Sequence, residues 1–318
     1  MTASRFSWLA RLSRSFAWPE RPLVFAPEWL ALTGMAGIDI LWAKAIGFHL
    51  IAGWHDLKMP ALVLASALAL RCFSFLRAAL AAELLGMWLV MAAVFQFLSY
   101  LCMASSGPLV DSTLQSVDRM LGFDWLAGFH LVQAHPKILW LLNQLYNSFT
   151  WQTLYFCVLM GLMNRVGRMR ELVWVIFLCT VITDLGAMLF PVLGPFHEFD
   201  LKGNGDFLPD VEHLISRHNL SFALAEMKGV VQFPSFHTIM ALAFIYGFRK
   251  LGPVSYAVTL ANVAMLVSVP FIGGHYLTDM LGGAAVFVAV ALGVRWAGRF
   301  AIREAPASWL APAADTPV

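Results

Sequence analysis

Charge is what this chain has least of. Only 13% of its 318 residues are Asp, Glu, Lys or Arg, about half the roughly 25% of a soluble domain. That scarcity excludes a soluble globular protein. The net charge is only +2, and the basic residues are scattered rather than patched, which argues against a nucleic-acid partner. Cysteine is scarce too. Cys72, Cys102, Cys157 and Cys179 all fall in apolar stretches, so they read as small core residues and leave the redox compartment open. After the basic N-terminus there is no short apolar core with a small-residue cleavage site, so no removed signal peptide is expected. There is no internal repeat, no soluble second domain and no recognised metal-ligand spacing.

Apolar residues fill 60% of the chain. A spanning helix needs about 20 mostly apolar residues, because the hydrocarbon core is about 30 Å thick and leaves no backbone group unpaired. Eight stretches qualify: 29–51, 60–80, 84–104, 138–163, 172–193, 234–250, 254–272 and 276–298. The expected fold is therefore all-α, a polytopic transmembrane helix bundle. Arg5, Arg11 and Arg14 interleave with Phe6, Trp8, Leu9, Leu12, Phe16 and Trp18, the pattern of an amphipathic surface helix. The expected organisation is an amphipathic cytoplasmic segment at 1–27, two N-terminal spans at 28–83, a six-helix core at 84–300 and a cytoplasmic tail at 301–318.

Orientation follows the Lys and Arg residues. With eight spans, five basic clusters share one face: the N-terminal tail, Arg71 with Arg77, Arg165 to Arg170, Arg249 with Lys250, and Arg295 to Arg303. That face is expected to be cytoplasmic. Two long polar segments, 105–137 and 194–233, then lie outside. Apolar residues at helical spacing (Leu114, Val117, Leu121) make surface helices likewise expected in the first. The second carries His197, Glu198, Asp200, Asp206, Asp210, Glu212, His213 and His218, read as a solvated or headgroup-contacting loop rather than a metal site.

Two motifs carry chemistry. In Phe233-Pro234-Ser235-Phe236-His237-Thr238, Pro and Ser precede an apolar run, so Ser235 is a natural helix cap. The free N–H groups and positive dipole of a helix start bind anions, and His237 stands one turn inside. In Gly273-Gly274-His275-Tyr276-Leu277-Thr278-Asp279, His275 and Asp279 are four apart and share a helical face. A carboxylate beside an imidazole sets its tautomer, and pairing relieves the cost of an acid inside a membrane. The topology brings both motifs to the outer ends of their helices. The reading with no chemistry, in which these polar residues merely satisfy one another, explains each motif separately better than it explains both at one depth.

Pro-Ser-Phe-His and His-x-x-x-Asp resemble the second and third signature motifs of the type 2 phosphatidic acid phosphatase superfamily over roughly 84–298. Ser268 stands seven before His275 as in that family, but Val269 replaces its arginine and Phe236 its glycine; the first family motif is absent. These departures resemble the inositol phosphorylceramide synthase branch, which transfers a phospho-headgroup between lipids. The resemblance implies a phosphohistidine mechanism. His275 is the nucleophile, Asp279 orients it, and His237 is the acid and then the base, with no metal or cofactor. Ser235, Phe236 and Lys228 are the expected phosphate contacts. Arg217, Lys202 and Arg119 are further cations that could replace the missing arginines. The implied partners are a phosphorylated lipid at the outer, periplasmic face of a bacterial inner membrane, and a lipid alcohol as acceptor if the reaction is transfer.

Three other features stay open on sequence alone. Asp184 inside the fifth span is either functional or a polar contact between helices. Asn143, Asn147 and Thr150 form a stripe that either lines the substrate cleft or bonds to a neighbouring helix. A transporter-like bundle that uses the His/Asp pair as a proton relay is the non-enzymatic alternative, although the cytoplasmic halves of the last three spans are nearly free of polar side chains.

Overall fold

The computed structural model describes residues 24–217 and 220–301. The expected surface helix at 1–27 and tail at 301–318 lie almost wholly outside that range. The chain forms an all-α bundle, with one two-stranded ribbon. Helix α1 spans Ala26–Ile46, α2 Trp54–Cys72, α3 Leu76–Ala104, α4 Asp111–Met120, α5 Trp125–Gln133, α6 Pro136–Tyr146, α7 Phe149–Leu162 and α8 Val166–Leu189. They are followed by α9 Pro195–Glu198, α10 Leu208–Ser216, α11 Phe236–Gly247, α12 Pro253–Gly273 and α13 Leu277–Ala301. Helices α1, α3, α8, α12 and α13 are long and apolar enough to cross a membrane, which makes this an integral membrane protein.

The other three expected spans depart from the simple pattern. Asp56 and Lys58 near its start make α2 the more polar stretch. The expected span at 138–163 is split into α6 and α7. There the side chains bond back to their own helix: Ser148 Oγ donates 2.6 Å to the Leu145 carbonyl and Asn147 Nδ2 donates 2.8 Å to that of Asn143. Such bonds compete with the helical ladder and accompany breaks in it. The sixth, α11, is only 12 residues long. The first span also ends earlier than its hydropathy implies. Gly47 closes α1 in the left-handed conformation, at φ 72°, and His49–Ile51 (β1) pairs in parallel with Ser221–Ala223 (β2) of the second polar segment.

The main core is one cluster drawn from several helices. Leu84, Met87 and Phe95 of α3 meet Phe156 and Met160 of α7, Ile176 and Phe177 of α8, and Ile239 and Phe244 of α11. The basic clusters converge at one end. Arg170 pairs with Glu28 at 2.7 Å, Arg249 with Glu171 at 2.6 Å, and Arg168 donates to the Arg249 carbonyl. Glu83, paired with Arg71, accepts from the Val24 and Phe25 N–H groups at the start of α1. A second cluster, with Tyr100, Leu101, Trp125, Phe129, Phe196, Val211 and Leu214, forms a cap at the other end. The motif-bearing ends of α11 and α12–α13 meet beneath that cap.

Candidate active site

Ser235 does cap α11. Its side chain is fully buried and accepts from the Thr238 N–H. Of the four N–H groups a helix start leaves unpaired, those of Phe236 and His237 open the helix with no partner among the described residues. The Phe236 side chain packs on the bundle core, so an aromatic ring takes the place of the family glycine.

The second motif is built by a turn and a cap. Gly274 ends α12 in the left-handed conformation, at φ 67°, where a side chain would be strained. The turn delivers His275, whose N–H donates to the Pro270 carbonyl at 3.2 Å. Helix α13 then starts at Leu277, but its cap comes from another helix. Asp118 of α4 accepts from the Leu277 N–H at 2.7 Å, the Thr278 N–H at 2.8 Å and the Thr278 hydroxyl at 2.5 Å. A carboxylate at a helix N-terminus is favoured by both the free donors and the dipole. Asp111 works two turns earlier on α4: it accepts from Gly194 N–H at 2.7 Å and Leu193 N–H at 3.1 Å. Sequence reasoning placed neither acid in a role. The available signal was two Asp residues seven apart on an amphipathic helix, but a partner so distant in sequence is not visible there.

The two motifs are locked together. The Ser235 N–H donates to the Asp279 carbonyl at 2.9 Å. Gly283 lies so close to the Ser235 carbonyl that any Cβ would collide with it. The imidazoles of His237 and His275 end 6.1 Å apart between ring centres, tilted by 60°. His275 Nδ1 faces Asp279 Oδ2 at 3.4 Å with both side chains buried, an ion-pair separation too long and too bent for a full hydrogen bond. Asp279 Oδ2 accepts instead from the Tyr276 N–H at 2.8 Å. On the other histidine, Tyr146 at the end of α6 stacks on His237 at 4.0 Å, and its hydroxyl lies 3.1 Å from Nδ1.

Three buried polar atoms around this junction have no hydrogen-bond partner among the described residues: His275 Nδ1, Asp279 Oδ1 and Gln232 Oε1. Gln232 sits against Gly194, which in turn touches the Gly274 carbonyl. His275 Nδ1 is turned to the Asp279 carboxylate, so the atoms left without any polar neighbour are Asp279 Oδ1 and Gln232 Oε1, and buried polar groups are almost always satisfied.

The expected cations are mostly engaged elsewhere. Lys228 Nζ donates 2.6 Å to the Asp206 carbonyl, and its backbone meets Tyr100 and Gln96; none of these contacts is with a histidine of the site. Arg217 donates to the Ala104 carbonyl, capping α3. Arg119 is exposed and lines an outer cleft with Phe123, Trp125 and Tyr276. The Lys202 side chain lies outside the described part. Ser268 and Val269 are fully buried in α12, so an apolar contact occupies the position of the family arginine. The Asn143 amide bonds to the Leu139 carbonyl of its own helix rather than to a neighbour. Asp184 is buried, with Oδ2 unpartnered among the described residues.

An all-α membrane bundle that joins two histidines and an aspartate at a helix start is the architecture of a membrane-embedded phosphate-handling enzyme. The family model described as PAP2 superfamily matches residues 112–293, from α4 into α13, and the chain belongs to that superfamily. Membership supports a phosphatase-type function. Among curated proteins and solved structures, none matches.

Proposed function

We propose that the protein is a lipid phosphatase or phospho-headgroup transferase that works through a phosphohistidine. The observation that carries this reading is the junction itself: two imidazoles 6.1 Å apart, one backed by a buried carboxylate, beside an uncommitted helix start and two orphaned oxygens, Asp279 Oδ1 and Gln232 Oε1. With Nδ1 turned to Asp279, His275 offers Nε2. That atom attacks phosphorus, forming a P–N bond as the P–O bond to the leaving group breaks. His237 gives its proton to the departing oxygen. Water or a lipid alcohol then yields its proton to His237 and attacks phosphorus, and the P–N bond breaks. The N–H groups of Phe236 and His237, with the α11 dipole, would hold the phosphoryl oxygens. Those neutral donors stand in for the missing arginines, as fits the inositol phosphorylceramide synthase-like branch. No step calls for a metal.

In this reading 84–300 is the catalytic core, and α1 and α2 are additions that brace it. The site faces the outer, periplasmic side of a bacterial inner membrane, a reading supported by the gathering of Arg71, Arg168, Arg170 and Arg249 at the opposite end. Single cysteines at Asn204 and Arg168, in a background without native cysteines, test that sidedness. An impermeant thiol reagent on intact cells should label Asn204 alone; labelling at Arg168 alone inverts the topology. The activity itself is tested with purified protein and phosphate-labelled phosphatidic acid and phosphatidylinositol, with and without ceramide or diacylglycerol. Inorganic phosphate marks a phosphatase and a new labelled lipid a transferase. Neither product, together with no acid-labile phosphoenzyme, overturns the reading.

A further inference from the structure

Tyr146 is not part of either family motif, yet it makes the closest polar contact to His237. Its ring stacks on the imidazole at 4.0 Å with only 20° between planes, and Phe149 meets the same imidazole edge-on at 5.4 Å. The imidazole is thus held on two sides by aromatic rings. The Tyr146 hydroxyl, 3.1 Å from Nδ1, fixes its rotation about the ring normal. The same hydroxyl also lies beside the second histidine. A side-chain carbon built at Gly273 would stand 2.8 Å from both Tyr146 Oη and His275 Cδ2. A side chain at Gly273 would therefore collide with both the Tyr146 phenol and the His275 imidazole.

The break in the expected fourth span gives Tyr146 this position. Helix α6 ends at Tyr146 and α7 starts at Phe149, so the two residues that hold His237 flank the interruption. An unbroken helix would carry them three positions apart along one ladder. Here Asn147 and Ser148, bonded back to α6 carbonyls, open the ladder at that point.

We infer that Tyr146 is the positioning residue of His237: its phenol oxygen accepts the Nδ1–H, so that Nε2 is the atom that releases and takes up the proton. This rests on the reading of His237 as the acid–base group. The choice of tautomer follows from chemistry. A histidine that gives a proton from Nε2 in one half-reaction and receives one there in the next must keep Nδ1 protonated throughout. The phenol oxygen can accept that Nδ1–H in both charge states. Without it the neutral ring is free to place its single hydrogen on either nitrogen, and the wrong tautomer cannot act as base.

The test uses full-length protein in lipid nanodiscs, labelled with nitrogen-15 in histidine. In wild type the His237 ring nitrogens should show one neutral tautomer, protonated at Nδ1. Tyr146→Phe keeps the stacked ring, removes the oxygen and should give a mixture. A wild-type His237 protonated at Nε2, or a tautomer unchanged in Tyr146→Phe, overturns the inference. Turnover supplies the second reading, as phosphate release from labelled phosphatidic acid, or as transfer to diacylglycerol or ceramide if that is the active pair. Tyr146→Phe should lower kcat between about 10- and 100-fold, less than His237→Ala at about 10² to 10⁴. In the His237→Ala background it should cost nothing further, because the two act as one unit. An equal loss in both backgrounds means a structural effect only and overturns the inference. His237→Ala at wild-type turnover overturns instead the acid–base reading on which the inference stands.

Discussion

The outer cap and the bundle beneath it treat buried aspartates in opposite ways. In the cap, Asp111 and Asp118 are each surrounded by donors: two N–H groups for the first, two N–H groups and a hydroxyl for the second. Beneath it, Asp279 leaves Oδ1 bare, Asp184 leaves Oδ2 bare, and Asp39 on α1 has no partner among the described residues for either oxygen. An unmet charge or polar group in so apolar a setting costs free energy. The satisfied acids are therefore the builders, and they orient the turn that presents His275. The unsatisfied one at the junction is the one that the proposed reaction uses. Asp39 and Asp184 share its orphaned state without its neighbours, and the comparison does not assign them a task.

The largest expected effect comes from removing the nucleophile. His275→Ala should leave a folded protein, with detergent-phase thermal unfolding near wild type, and no turnover. Losing a nucleophile costs many orders of magnitude, so residual activity above about a tenth of wild type would take His275 out of that role. On the other side of the comparison, Asp118→Ala should act through stability. Leaving two helix-start N–H groups and a hydroxyl without an acceptor costs about 2–4 kcal/mol, read as a lowered unfolding midpoint with turnover falling in step. Asp118→Asn, which keeps one acceptor, should recover part of both. Equal midpoints for Asp118→Ala and wild type would erase the distinction between builders and chemistry.

A smaller effect should follow from Gln232→Leu. If its bare oxygen faces a ligand group, turnover should drop about tenfold while the unfolding midpoint holds or rises, since an orphaned polar atom has been removed. Full turnover in this variant would show that the orphan meets nothing. The smallest effect is expected at Lys228. Its ammonium is bound to Asp206 at a partly exposed site, and such pairs contribute under about 1 kcal/mol. Lys228→Ala should therefore change KM less than about threefold. A loss of tenfold or more would mean that the side chain leaves Asp206 to meet the phosphate.

Much of this molecule was legible in its residues. The scarcity of charge, the apolar runs and the basic clusters were enough for an all-α membrane bundle with its two motifs at one end. Ser235 was readable as a cap because capping is local, and so was the spacing of His275 and Asp279. The interrupted fourth span was not readable. Residues 138–163 are apolar on average and carry no charge, and hydropathy averages over a break at which two side chains, Asn147 and Ser148, bond to their own backbone. Nor could the sequence show what Lys228 meets: nearness along the chain to Ser235 suggested a phosphate contact, and in the fold its ammonium binds Asp206.

What the sequence determined by itself, then, is the solvent this protein lives in, its all-α fold and the local spacing of the residues in its two motifs, on which the proposed chemistry rests, because each depends on composition or on spacings of a turn or so. Tertiary structure alone decided which groups support that chemistry. Asp118 reaches Leu277 and Thr278 across 159 and 160 positions, and Tyr146 reaches His237 across 91. A contact over such a separation exists only once the packing of α4, α6, α11 and α13 has closed, and no local pattern in any one of them records it.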